Sequence, residues 1–540
     1  MNDNASRQSA WHWFLPAAIP CTAIFFFPSF DSPFLGAKTM LLLIVGAVAV
    51  FSLFEKNSGK IFPGKLFRWS AIFAIAALAL SILFAHNWTE CWHMLALFAA
   101  AAIFFAALIR QKISVQAILW TIAVSAIVIA IVAISGHFGY DLPRFFMGAT
   151  APGRMRTAST LGNPLFVSPF LACTFWAVPL IPGNIWRFIA GLSVLAGMLV
   201  TTEHTGIFAL VFGILIYGLI GRPRFRTLFL FLCIALTLMV SPLHGNPRSL
   251  RTTMHGRVFL WKTALHHIIF FGNGPGSFYR IYNQNLRETA PTIPAYELHF
   301  VNYETDAYNI FVQTTVEEGV LGLVALLAFF AAWFLMAWPT RKTDIGLCAI
   351  AAVATFLAAG LSDDPLYRPE GMVLLAAWLA VPVLILSRDN PAIFKVEFHR
   401  PSFYSTFSII APLVSLLLLV AGSITAFSNY AVHQGEMAAD RNDWIQAERW
   451  NRAVVRFDPA QRDACYNLVR ALAQQGKYEA SFAESEKALY WVNEAELHII
   501  RIRILQRLGK TQQAREELIQ ARKEFPWSLE LQQEVVRNRN

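Results

Sequence analysis

The sequence predicts an all-α membrane protein: about thirteen transmembrane helices, one large polar loop and a C-terminal helical-repeat domain. Three observations carry this. Of 540 residues, 56% are hydrophobic and only 14% charged, against about 25% charged in a soluble protein. The apolar residues fall in runs long enough to cross ~30 Å of hydrocarbon. From Ser428 onward the chain turns charged and helix-forming. The expected domains are therefore 1–427 in the membrane and 428–540 outside it.

The spans are placed near 11–29, 37–54, 67–85, 91–109, 114–135, 165–182, 185–202, 205–220, 226–241, 319–338, 344–361, 371–387 and 405–427. Residues 1–10 are polar and no small-residue cleavage site follows, so the first run is expected to be a retained helix. With the N-terminus inside, the inner loops hold Lys56, Lys60, Lys65 and Arg68; Arg110 and Lys112; Arg222, Arg224 and Arg226; Arg341 and Lys342; and Arg388, Lys395 and Arg400. The short outer loops hold none, in keeping with the positive-inside rule. An odd number of spans then places the C-terminus outside.

Charge and cysteine exclude other classes. The net charge of +10 is spread over membrane loops with no basic, aromatic-interleaved stripe, so nucleic acid is not an expected partner. The six cysteines stand singly, without a C-x-x-C pair, and suggest neither a disulfide framework nor a thiolate metal site. His266 and His267 are adjacent without an evident third ligand, and are read as structural. Charge sits near span ends rather than mid-span, which argues against a transporter.

The tail has a period of 33–34 residues. Trp444, Ala447 and Pro459 match Tyr478, Ser481 and Ala488, then Ala514, Ala521 and Pro526, with Gly476 and Gly509 at the turns. The pattern resembles tetratricopeptide repeats, with a plain helical bundle as the alternative.

The organising stretch is the large loop, Pro242–Glu318. It and the loop 136–164 break the charge rule, since Arg144, Arg154, Arg156, Arg248, Arg251, Arg257, Arg280 and Arg287 all fall on the outer side. Guanidinium groups there suit an anionic ligand, phosphate oxygens above all. Solvated loop charge or lipid-headgroup pairing is the plainer alternative.

Three segments then stand out: Arg156-x5-Gly162-Asn163-Pro164; Arg257-x3-Trp261 followed by Gly272-x-Gly274-x-Gly276-x-Phe278; and Asn309-x3-Gln313-x3-Glu317-x-Gly319. In this order they resemble the O-antigen ligase/polymerase superfamily of bacterial membrane glycosyltransferases over residues 11–427. The resemblance implies metal-independent transfer of a glycan from an undecaprenyl-diphosphate carrier to a lipid, glycan or protein acceptor, at the outer face of the inner membrane and without a cofactor. Arg154, Arg156, Arg257 and Arg280 are then expected to hold the donor diphosphate. Gly272, Gly274, Gly276 and Asn309 would shape the loop, and the repeats would recruit an acceptor or protein partner. The polymerase, the protein O-oligosaccharyltransferase and a non-catalytic scaffold are the alternatives.

The chain departs from the family at the residue before Asn309, where Tyr308 replaces the functional histidine. A phenol with pKa near 10 is a poor base at neutral pH. Three readings follow: Asp306 is the base, His299 of the same loop supplies it, or the activity is lost or altered. Glu203-His204 stands where relatives carry a serine–arginine pair. Asp363-Asp364 is either a partner for a loop arginine or a polar turn.

Overall fold

A computed structural model describes residues 10–53, 64–85, 88–148, 153–221, 247–294, 296–389 and 402–537. Among them every regular element is helical. An apolar chain in lipid must satisfy its backbone internally, and the helix does so within one segment.

The first helices are α1 (Trp11–Ile24), α2 (Leu35–Ser52), α3 (Lys65–Leu83), α4 (Trp88–Arg110), α5 (Val115–His137) and the short α6 (Leu142–Phe146). Then come α7 (Pro164–Thr174), α8 (Asn184–Val200) and α9 (His204–Ile220). The loop region contributes α10 (Pro247–Ala264), α11 (Phe278–Thr289) and α12 (Ile310–Glu317). The bundle closes with α13 (Gly319–Ala337), α14 (Asp344–Ala359), α15 (Pro369–Asp389) and the long α16 (Ser402–Asp440).

Seven of these are long and apolar enough to cross a membrane: α2, α3, α4, α5, α13, α15 and α16. The expected span 165–182 belongs to a bent pair, 54° at the break before Pro164. Those expected at 185–202, 205–220 and 344–361 are apolar helices of 17, 17 and 16 residues, and the first is the 14-residue α1. The run 226–241 lies outside the described residues. Among the described residues, seven helices, or eight with the bent pair, are long and apolar enough to span, and the remaining expected runs described form helices shorter than the ~20 residues a bilayer asks for.

Helix α15 is the buried axis of the bundle, with its face from Pro369 to Leu384 covered throughout. Trp333 of α13 donates its indole N–H to Leu379 O at 3.1 Å, and Trp176 donates to Thr355 Oγ1 at 2.8 Å, so these two core rings also satisfy their polar atoms. Among the described residues, Lys38 and Glu370 are charged groups buried within candidate spans. Lys38 of α2 is 1% exposed and donates to Thr160 O, pinning the segment that leads to Gly162-Asn163-Pro164.

The tail forms α17 (Trp444–Phe457), α18 (Arg462–Gln474), α19 (Tyr478–Ala488), α20 (Ala495–Arg507), α21 (Thr511–Glu524) and α22 (Leu529–Arg537). Consecutive helices pack on one another. Their starts at 444, 478 and 511, and at 462, 495 and 529, repeat every 33 or 34 residues. Ala447, Ser481, Ala488, Ala514 and Ala521 are buried at the helix contacts, where small side chains let backbones approach. Gly476 and Gly509 end α18 and α20 with φ of 76° and 72°, the left-handed cap that suits glycine.

Candidate active site in the large loop

The motif spacings have a direct structural meaning. Arg257 and Trp261 lie one turn apart on α10 and so face the same way. Trp261 donates its indole N–H to Ala307 O at 2.8 Å, and Arg257 donates to Ser362 O. Asn309, Gln313 and Glu317 likewise share one face of α12. Asn309 caps the helix, accepting from Phe311 N at 2.9 Å and Val312 N at 3.1 Å. Its amide also donates to Leu361 O at 3.0 Å, joining α12 to the turn before α15. Gln313 accepts from Ala307 N at 2.7 Å and donates to Glu317 Oε1 at 2.8 Å. The motif asparagine before Pro164 has the same role, since Asn163 accepts from Leu165 N at the start of α7.

Glu317, 0% exposed, organises the glycine loop. Its carboxylate accepts from Gly276 N at 2.9 Å and Phe278 N at 3.3 Å, and its carbonyl accepts from Asn273 N and Gly274 N, both at 2.8 Å. Gly272, Gly274 and Gly276 have φ of 81°, 94° and 83°. A Cβ on Gly272 would lie 2.3 Å from Glu317 O, and one on Gly274 2.5 Å from Cys91 Sγ. These glycines therefore admit close approach to the protein's own backbone and to α4, and the N–H groups of Gly276 and Phe278 already hold a carboxylate. Just upstream, Phe270 O accepts from Leu321 N at 3.1 Å in the first turn of α13, and Phe271 stacks on Phe84 at 4.6 Å.

A second polar cluster joins elements far apart in sequence. Asp363 and Asp364, 2% and 1% exposed, flank Arg368, whose Nη2 lies 3.3 Å from Asp363 Oδ1 and 2.6 Å from Asp364 Oδ1. The Arg368 guanidinium also lies 3.0 Å from the centroid of the Phe166 ring on α7, which ties the Gly162-Asn163-Pro164 segment to the same place. Asp306 adjoins this group. Burial, and next the Asp364 carboxylate, push its carboxyl well above the usual range, with Arg368 opposing. Asp363 is raised as well, chiefly by burial, against the pull of Arg368. Burial works against the charge on Arg368, but Asp364 and Asp363 outweigh it and hold the proton more firmly than usual.

Arg257 bounds the cluster. It is half-buried, 5.4 Å from the Tyr308 ring centroid, and burial lowers its pKa while Asp363 and Glu203 counteract. Glu203 precedes α9, and Thr205 in its first turn accepts from Ser362 Oγ at 3.2 Å. Tyr308 has φ of 48°, a strained conformation for a bulky residue, which costs on the order of 1–3 kcal/mol. Its hydroxyl donates to Glu304 Oε2 at 3.0 Å. Burial, then Glu304, raise its pKa, so the phenol stays protonated.

The expected residues divide accordingly. Arg257, Asp306, Tyr308 and Asn309 come together with Asp363, Asp364, Arg368 and Glu203. His299 is exposed and lies against Phe300, ring centroids 3.8 Å apart. Arg280 is half-buried on α11, beside Tyr279, whose hydroxyl reaches the tail. Arg156 is exposed near Asp141, and the Arg154 side chain lies outside the described residues. His204 opens α9, 6.3 Å from the Phe208 ring. Arg368 was missed by sequence reasoning, although a basic residue four positions after an acidic pair was a visible signal. Glu288 was missed too. Its Oε2 is 2.8 Å from His267 Nε2, and with His266 it makes a cluster of exposed potential ligands.

Residues 189–327 match the O-antigen ligase family model. The match runs from α8 into the first turns of α13. It takes in Arg257, the glycine loop, Asp306 to Asn309 and Glu317, and stops short of Asp363, Arg368 and the tail. This supports a multi-pass membrane protein of the glycan ligase and polymerase type, acting on lipid-linked glycans. A comparison with curated proteins gave no match.

Proposed function

We propose that the protein transfers a glycan from an undecaprenyl-diphosphate-linked donor to an acceptor hydroxyl at the outer face of the inner membrane. The observation that carries this is the meeting of Arg257, Tyr308, Asp306, Asp363, Asp364 and Arg368 at one end of the bundle, within and beside the segment that matches the ligase family. The acceptor oxygen attacks the anomeric carbon, and the bond from that carbon to the diphosphate oxygen breaks. The electron pair leaves with the lipid diphosphate, and the acceptor proton passes to Asp306.

A carboxyl raised by burial and by a neighbouring acid is a stronger base than a free one, which suits this role. The leaving diphosphate gathers negative charge, which fixed cations stabilise. Arg257 stands at the edge of the acidic cluster and would meet that charge, with Arg154, Arg156 and Arg280 supporting the rest of the donor. Tyr308, protonated and bound to Glu304, would orient Arg257 rather than accept the proton. The tail, read as tetratricopeptide-like, would stand on the same side of the membrane.

With a defined lipid-diphosphate oligosaccharide and hydroxyl acceptors of lipid, glycan and protein type, Asp306→Asn is expected to lower transfer by about 10²–10⁴-fold. His299→Ala should leave it within a small factor. The reverse result would move the base to His299. Arg257→Ala should abolish transfer at normal protein levels; unchanged transfer would favour the scaffold. The three acceptors separate ligase, polymerase and protein glycosylation, which share the same donor chemistry.

A further inference from the structure

The tail holds the loop at one turn, residues 493–495 between α19 and α20, through three loop side chains. Tyr279 donates its hydroxyl to the Glu494 carboxylate. Arg462 of α18 stacks over the Tyr279 ring at 5.0 Å and pairs with Glu494 at 3.5 Å. Arg287 donates to Asn493 O at 3.3 Å and lies 3.7 Å from Glu524. Tyr303 accepts from Ala495 N at 3.0 Å, capping one of the N–H groups that the first turn of α20 cannot satisfy itself. The Tyr303 ring packs into the hydrophobic core of the tail, 6.5 Å from Phe525, and Trp527 packs against both that core and the core of the loop.

Tyr303 is also the residue before Glu304. Asn302 accepts from Tyr303 N at 3.0 Å and donates to Glu304 Oε1 at 3.0 Å, and Tyr308 donates to Glu304 Oε2 at 3.0 Å. Both Glu304 oxygens are therefore fixed by a turn whose outer end is anchored in the tail. The chain of contacts runs from Ala495 through Tyr303 and Glu304 to the Tyr308 ring and Arg257.

We propose that the C-terminal helical stack is a working part of the site, and that Tyr303 is a positioning residue through which it sets Glu304, Tyr308 and Arg257. This gives the tail a structural duty independent of recruiting an acceptor. The kinetic arm of its test rests on the proposed glycan transfer, and the exchange arm does not.

The experiment uses the full chain in detergent or nanodiscs. Amide hydrogen exchange of residues 296–308 is measured for the wild type, Tyr303→Ala and Tyr303→Phe, beside kcat and KM for a polyprenyl-diphosphate oligosaccharide. Tyr303→Ala should speed exchange across 296–308. It should also lower kcat about tenfold with the donor KM within roughly twofold, since small displacements of reacting groups cost rate more than binding. Tyr303→Phe keeps the ring and should recover most of kcat. Should the alanine variant not fold, Arg287→Gln loosens the same turn from the other side and is expected to speed the same exchange. Unchanged exchange in 296–308, or normal kcat in a Tyr303→Ala protein whose tail has come loose, would overturn the proposal. If the wild type transfers no glycan, the proposed reaction fails, and exchange alone decides whether the tail orders the loop.

Discussion

Glu317, fully buried, and Asp306, half-buried, are acids of the same loop region, and their surroundings differ. Glu317 receives two backbone N–H groups and a glutamine amide, so its charge is met from several sides. Asp306 faces another acid, beside a tyrosine held at positive φ. A satisfied network rigidifies. A strained, charge-crowded one marks where chemistry is done. The difference suits the glycine loop to an architectural part and the cluster at Arg368 to the proposed chemistry.

Removing each acid should therefore have opposite effects on stability. Glu317→Ala leaves Gly276 N, Phe278 N and the Gln313 amide without their acceptor. Phe278 and Gln313 are buried while Gly276 is exposed, so at roughly 1–3 kcal/mol for each of the two buried groups it should cost about 2 kcal/mol or more and deplete folded protein, as read by size-exclusion yield and unfolding temperature. A mild effect would break the contrast.

Asp306→Asn should do the reverse. A carboxyl raised in the folded state is bound to its proton more tightly there than in the unfolded chain. Its contribution is favourable at low pH and is lost as pH rises through the interval above the unfolded value of about 4. The asparagine protein should therefore gain on the wild type as pH climbs from 4 to 8, as read by unfolding temperature at each pH. Equal pH profiles for the two proteins would remove the crowding.

The weakest effect is expected where the bundle meets the tail. Asp31, between α1 and α2, is raised to about 7 by burial and by Glu436 and Asp463 of the tail. Its penalty grows as pH rises toward 7 and is then complete. Asp31→Asn should stabilise slightly at pH 8 and not at pH 4, by less than about 1 kcal/mol after solvent screening. A larger shift would mean that this contact, rather than Tyr303, fastens the tail.

Much of this was legible in the residues. Apolar runs marked the helices, the 33–34-residue period marked the tail pairs, and Asn309, Gln313 and Glu317 stood out as a motif, though their shared helix face came only with the structure. Span length was less so, because apolar composition alone does not set where a helix stops: Pro382 and Pro412 lie inside continuing helices, whereas Gly221 and Gly360 stand at helix ends. The cluster was hardest to foresee. Phe166, Glu203, Arg257, Asp306 and Arg368 come from five segments, and only tertiary packing brings them together. Lys38 was hidden for another reason: its partner, the Thr160 carbonyl, is backbone and leaves no trace in side-chain patterns.

The bond from Leu321 N to Phe270 O carries a mechanical consequence. A segment tied to the first turn of α13 moves with that helix. Helices accommodate bilayer thickness by tilting, so lipid composition alone would change the elevation of the glycine turn. Membrane thickness would thereby be expected to bear on where the loop stands relative to the bilayer.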